Sequence, residues 1–125
     1  MKALCRLQVL VTTLGVLTFN ALAAEGTPLQ RAPARTAMVT NPVAGSERAR
    51  RAGAKLYDRE CAACHGQKAE GKGKALPLLS PEARRASQGA LFWVLTNGSL
   101  RRGMPSFAHL PEPQRWQIVQ YLKSM

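Results

Sequence analysis

Residues 61–65 read Cys61-Ala62-Ala63-Cys64-His65. Two thiols stand three positions apart, with an imidazole directly behind them. On a helical turn, positions i and i+3 face the same way. Both sulfurs can therefore reach the two vinyl groups on one edge of a porphyrin, and His65 lies under the ring with a nitrogen for the iron. This is the C-x-x-C-H spacing of covalent haem attachment. Two other chemistries use parts of it. A tetrahedral zinc site needs four ligands, and outside the first 23 residues the only other Cys or His is His109, with no second zinc-like pair. A redox dithiol of thioredoxin type needs a βαβ setting, and no convincing strand is present.

Length and charge set the frame. At 125 residues there is room for one domain. A globule of that size buries a modest fraction of its surface and needs a staple; a haem fixed by two thioethers and two axial bonds would be one. The formal charge is +11, from 18 Lys/Arg against 7 Asp/Glu. Without Lys2 and Arg6, 16 basic residues face the same 7 acidic ones, a net +9. Two ionised haem propionates would lower that by roughly two. Such a field favours an acidic protein partner and fast encounter. Nucleic acid is excluded as a partner, because no helix-turn-helix, zinc-finger or RNA-binding signature accompanies the charge.

The N-terminus reads as a secretory signal over 1–23. Lys2 and Arg6 form its basic start, Leu7 to Phe19 its apolar run, and Ala21-Leu22-Ala23 a cleavage site, with the cut after Ala23. The apolar run is shorter than the roughly 20 residues a bilayer span needs, so membrane association is expected only through a partner. Cys5 leaves with this leader. The two cysteines that remain are both in the motif, and an exported chain then has no disulfide to form.

Residues 24–45 carry Pro28, Pro33 and Pro42 among Ala, Thr and Arg, without apolar periodicity. They are expected to form a flexible or polyproline-like tail outside the core. The folded domain is assigned to 46–125. Ser46 to Glu60 predicts a helix with Ser46 as N-cap and Glu47 in the first turn. Gly53 in its middle costs about 1 kcal/mol against Ala, which close approach of another helix would offset. Arg48, Arg50, Arg51, Lys55 and Arg59 fall mostly on the outer faces. Ser80-Pro81-Glu82 starts a short helix. Ser87 to Thr96 is another, ended by Asn97-Gly98. Pro111 to Lys123 is the last, with a stripe of Trp116, Val119 and Leu122 joined by Ile118 and Tyr121. Gly66-Gln67-Lys68-Ala69-Glu70-Gly71-Lys72 has the spacing of a phosphate loop. Gly73 stands where the magnesium ligand belongs, and no strand precedes the loop, so that reading fails. Its glycines instead suit tight passage of backbone around a ring edge.

The second axial ligand is bounded by counting. Met1 leaves with the leader, Met38 sits in the tail, and Met125 is the last residue of the sequence. Met104 stands in the loop Gly103-Met104-Pro105, where glycine allows close approach and proline stiffens the turn. A methionine is often core filler, a weaker reading beside Arg101-Arg102. His109 is the rival ligand. A Met/His pair is an established cytochrome arrangement.

The combined pattern resembles the class I monohaem c-type cytochromes. The matching residues are Gly53-x-x-x-Tyr57, Cys61-Ala62-Ala63-Cys64-His65-Gly66, Pro77, Gly103-Met104-Pro105-x-Phe107, and Trp116 with Tyr121, over about 46–125. The resemblance implies an all-α fold, with three to five helices wrapped around one covalent haem c held by Cys61 and Cys64. It implies iron between His65 and Met104, a first and last helix crossing at Gly53 and Tyr57 against Tyr121, and a Pro77 carbonyl that accepts from His65 Nδ1. The stretch from Phe92 to Gly98 through Met104 also looks like cytochrome modules that accompany periplasmic quinoprotein dehydrogenases.

The expected function is that of a periplasmic single-electron carrier, not an enzyme. It would accept electrons from a dehydrogenase or pass them to a terminal oxidase. Lys68, Lys72, Lys74, Arg101 and Arg102 would rim the haem edge and meet an acidic docking face. The alternative is a haem enzyme or a gas or redox sensor with a labile sixth ligand, for which only His109 could supply a distal acid–base group.

Overall fold

A computed structural model describes residues 26–125; the leader assigned to 1–23 lies outside the described residues. Ser46 starts the first helix as its position predicts. Its hydroxyl accepts from the Ala49 N–H at 3.1 Å and opens α1 (Glu47–Glu60). Ser80 caps α3 (Pro81–Arg85) in the same way, and Ser87 caps α4 (Gln88–Asn97). A single turn, α2 (Ala62–His65), follows α1, and α5 (Glu112–Ser124) closes the chain. Two 3-10 turns, Ala34–Met38 and Leu100–Arg102, complete the described elements. The described residues contain no strand, only an isolated bridge between Ser99 and Met104. None of their helices is long and apolar enough to cross a membrane.

The scaffold is the crossing of α1 and α5, the most extensive helix pair. Gly53 makes it possible, since a Cβ there would lie 1.9 Å from the Gln117 carbonyl oxygen and 2.9 Å from Tyr121 Cβ. One turn on, the rings of Tyr57 and Tyr121 meet at 5.4 Å between centroids. Tyr57, Ile118 and Val119 are fully buried; each apolar side chain so placed contributes about 1.5–3 kcal/mol. α4 packs on the same helix through Phe92, stacked on Trp116 at 3.9 Å, with the Arg115 guanidinium 4.8 Å from the Phe92 ring centre.

The segment expected as a free tail is packed against the domain. The turn Ala34–Met38 lies on α4, where a Cβ at Gly89 would stand 2.0 Å from the Thr36 carbonyl oxygen. Thr36 and Asn41 are buried. Asn41 Nδ2 donates to Gln88 Oε1 at 2.7 Å and to the Trp116 carbonyl at 3.4 Å, and its Oδ1 accepts from Val43 N at 2.9 Å. The expectation rested on apolar periodicity, and this docking uses none. It is made by a glycine notch and an amide that satisfies buried polar groups.

Candidate haem site

The motif sits where two helices meet. Cys61 ends α1, its N–H donating to Tyr57 O at 2.8 Å, and it also opens α2, whose one turn carries Cys64 and His65. The chain leaves at Gly66 with φ 84 and ψ 157, a conformation open essentially to glycine alone. The Tyr57 hydroxyl donates to the Gly66 carbonyl at 2.7 Å. Burial pushes that phenol up to about 12, so it keeps the proton it donates.

His65 Nδ1 lies 2.9 Å from the Leu76 carbonyl oxygen. A carbonyl can only accept, so Nδ1 carries the hydrogen and Nε2 keeps its lone pair. The resemblance assigned this contact to Pro77, and Leu76, one residue earlier, makes it. The Pro77 carbonyl instead accepts from Ser80 N at 3.4 Å on the approach to α3. The turn before it fixes that register. Gly71 donates to the His65 carbonyl at 2.8 Å, and a Cβ on Gly71 would lie 2.7 Å from Ala75 O and 2.9 Å from Pro77 N. Pro77 itself still lines the cavity described below.

The two thiols are unpaired; Cys61 is buried and Cys64 exposed. Burial, with Glu60 and Cys64 adding to it, pushes the Cys61 thiol up to about 12. A reactive dithiol works as a thiolate, and this environment opposes one. A thioether carries no charge and suits it. Among the described residues no three His, Cys, Asp or Glu side chains converge as a metal-holding group.

Met104 arrives on a different kind of structure. Gly98 ends α4, and Ser99 then pairs with Met104 in both directions, N to O at 2.8 and 3.1 Å. The 3-10 turn lies between them, and Gly103 closes it in the left-handed region at φ 77. The Met104 side chain is half-buried and packs on the core cluster that holds Leu95 and Phe107. His109 is exposed, tilted on Phe107 at 5.8 Å, and does not line the cavity.

Cys61, Cys64, His65 and Met104 all face one cavity of about 600 Å³, within the usual range of roughly 300–1,000 Å³ for a cofactor site. Leu78, Leu91, Val94, Leu95, Phe107, Ile118 and Leu122 give it apolar walls, and Lys72, Lys74 and Arg102 stand on it as well. Lys68 and Arg101, expected beside them, do not line it. The residues fit a haem c: paired thiols on one turn, an imidazole in the right tautomer, a thioether sulfur, and an apolar slot. Several contributors had no sequence signal. Thr27, Pro28 and Leu29 line the cavity from the segment read as a tail, and the Tyr57 hydroxyl and Leu76 carbonyl act through contacts that spacing does not reveal.

Such a site on an all-helical scaffold defines a class I monohaem c-type cytochrome, whose cofactor is haem c with its iron and whose work is electron transfer. Residues 48–122 match the family described as "Cytochrome C oxidase, cbb3-type, subunit III", and the chain belongs to that family. It is 45% identical over 74 residues to quinohemoprotein alcohol dehydrogenase ADH-IIG of Pseudomonas putida, a match covering 57% of this chain and 10% of the dehydrogenase. It is also similar to the crystal structure of cytochrome CL from the marine methylotrophic bacterium Methylophaga aminisulfidivorans MPT. That similarity has a TM-score of 0.57 and 25% identity, over 66% of this chain and 57% of that one. The chain thus spans about a tenth of the curated relative and just over half of the structural one.

Proposed function

We propose that the chain is an exported single-electron carrier, with haem c bound through Cys61 and Cys64 and its iron ligated by His65 and Met104. The observation that carries this is the convergence of those four side chains on one apolar cavity. When bound, haem c supplies an iron that passes one electron at a time between its ferrous and ferric states. The chain's own residues do the rest. Leu76 holds the His65 ring so that Nε2 is available. Met104 presents a soft sulfur, which favours the ferrous state and raises the potential. The apolar walls keep water away. The leader read at 1–23 supports delivery to the bacterial periplasm.

The donor in this reading is a dehydrogenase of the quinoprotein type, supported by the likeness to the Pseudomonas putida protein. Lys72, Lys74 and Arg102 on the cavity rim would meet an acidic face on that partner. Charges at a surface, as the exposed Lys72 and Lys74 are, steer encounter and are screened by salt. Association with the donor should therefore slow as ionic strength rises, and a rate indifferent to salt would remove the docking assignment.

The deciding test is the absorption spectrum of the reduced holoprotein before and after carbon monoxide. An unchanged six-coordinate spectrum is expected. A prompt shift would mean a vacant or labile sixth position, and would replace the carrier with a haem enzyme or a gas or redox sensor.

A further inference from the structure

The family match begins at residue 48, yet the haem cavity begins earlier. Thr27, Pro28 and Leu29 form part of its wall. The segment that brings them there is fastened at both ends. At the cavity, the Thr27 hydroxyl donates to the Glu82 carboxylate on α3, and Arg31 Nη2 donates to Ser99 Oγ at 2.7 Å. Away from it, Thr36 rests on the Gly89 notch and Asn41 bonds to Gln88 and Trp116. Ser99 is buried, and its backbone is the partner of Met104 in both directions. A continuous path of contacts therefore runs from Arg31 through Ser99 to the residue that bears the sulfur.

We propose that residues 27–41 are a strap belonging to the cofactor site. Pro28 and Leu29 close the apolar wall, and Arg31 is a positioning residue that holds the Met104 loop through Ser99. This rests on the haem reading of the cavity and on Met104 as the axial ligand. A loop bridged only by Ser99–Met104 would open locally with ease, since such short segments lie at the low-stability end of a fold. Anchoring Ser99 to a second segment lowers the population of the open form. The strap then sets how readily an outside ligand displaces the Met104 sulfur.

The test uses the oxidised holoprotein and imidazole as the competing ligand. Arg31→Ala removes the contact from an exposed side chain. Gly89→Ala lifts the strap from a point that does not line the cavity, because its Cβ would collide with the Thr36 carbonyl. Arg31→Ala should bind imidazole about tenfold more tightly than the parent, the scale of one lost charge-assisted hydrogen bond, and Gly89→Ala should shift the affinity in the same direction. Covalent haem content should stay unchanged, which separates positioning from general damage. If Gly89→Ala fails to fold, Arg31→Ala decides alone. Imidazole affinity equal to the parent overturns the proposal. A parent protein that takes up carbon monoxide when reduced fails at the earlier step, the ligation by Met104, and takes the role of Arg31 with it. A parent inert to carbon monoxide, with variants that match it, fails the strap alone.

Discussion

The two residues proposed to ligate the iron are held by opposite means. His65 is fixed at the ring itself, its Nδ1 on the Leu76 carbonyl, and the turn behind it is tied by the Tyr57 hydroxyl and Gly71 N–H. Among the described residues, Met104 makes no such contact through its sulfur. Its backbone is paired to Ser99, and its side chain is placed by packing. The imidazole is therefore oriented by the fold whether or not iron is present. The thioether is placed by a loop, and what moves the loop moves the ligand. The lesson is that one side of the site is preorganised by hydrogen bonds and the other is adjustable.

The largest expected effect comes from breaking the fixed side. Cys64→Ala removes one attachment from the turn that carries His65. At most one thioether can form, and haem should be poorly retained, read as covalent haem per chain. Full covalent retention would refute the attachment scheme. On the adjustable side the expected change is of another kind. Met104→Ala should keep its haem, bind carbon monoxide when reduced, and show a lower potential. The drop should fall within the roughly 0.8 V span over which axial ligands move haem potentials. A Met104→Ala protein that stays six-coordinate and inert to carbon monoxide would mean that another residue holds the iron.

The same contrast separates what the sequence discloses from what it hides. Ser46 sits directly before its helix and caps it as expected, because capping is a bond between residues three apart; Ser80 starts its short helix in the same way, and Ser87, expected as the first residue of its helix, is the cap of Gln88–Asn97. Gly53 in mid-helix points to close approach of another helix, and the resemblance implies that its partner is the last helix at Tyr121, as the structure has it. Cys61, Cys64, His65 and Met104, proposed to hold the haem, stand out in the sequence for the same local reason, a five-residue motif and a Gly-Met-Pro loop, and all four line one cavity. The contact of His65 was misplaced by one residue, because which carbonyl faces the ring depends on how the Gly71 turn folds back. The described part of the 24–45 segment packs on the domain where a flexible tail is expected. Its anchors, Thr27 on Glu82, Arg31 on Ser99 and Asn41 on Gln88, join residues 47 or more positions apart, and no pattern within the segment announces them.

A smaller effect gives the sharpest form of the comparison, because each of the two proposed ligands has a glycine beside it. Gly66 follows His65 and Gly103 precedes Met104, and both have positive φ. Gly103 lies at φ 77 and ψ 9, and a Cβ there meets nothing within 4 Å. Gly103→Ala should cost about 1–2 kcal/mol, the ordinary penalty of a left-handed L-residue. Gly66 lies at φ 84 and ψ 157, where strain reaches the upper part of the roughly 1–3 kcal/mol range. A Cβ there would also stand 2.2 Å from Glu70 Oε2. That carboxylate could swing aside only by giving up its bond from Lys68 N at 2.9 Å, worth about 1 kcal/mol more. Denaturant unfolding of the two holoproteins should therefore rank Gly66→Ala as the more damaging by at least about 1 kcal/mol. The reverse order would mean that the Met104 loop is the stiffer of the two, and the division into a fixed and an adjustable side would have to be turned around.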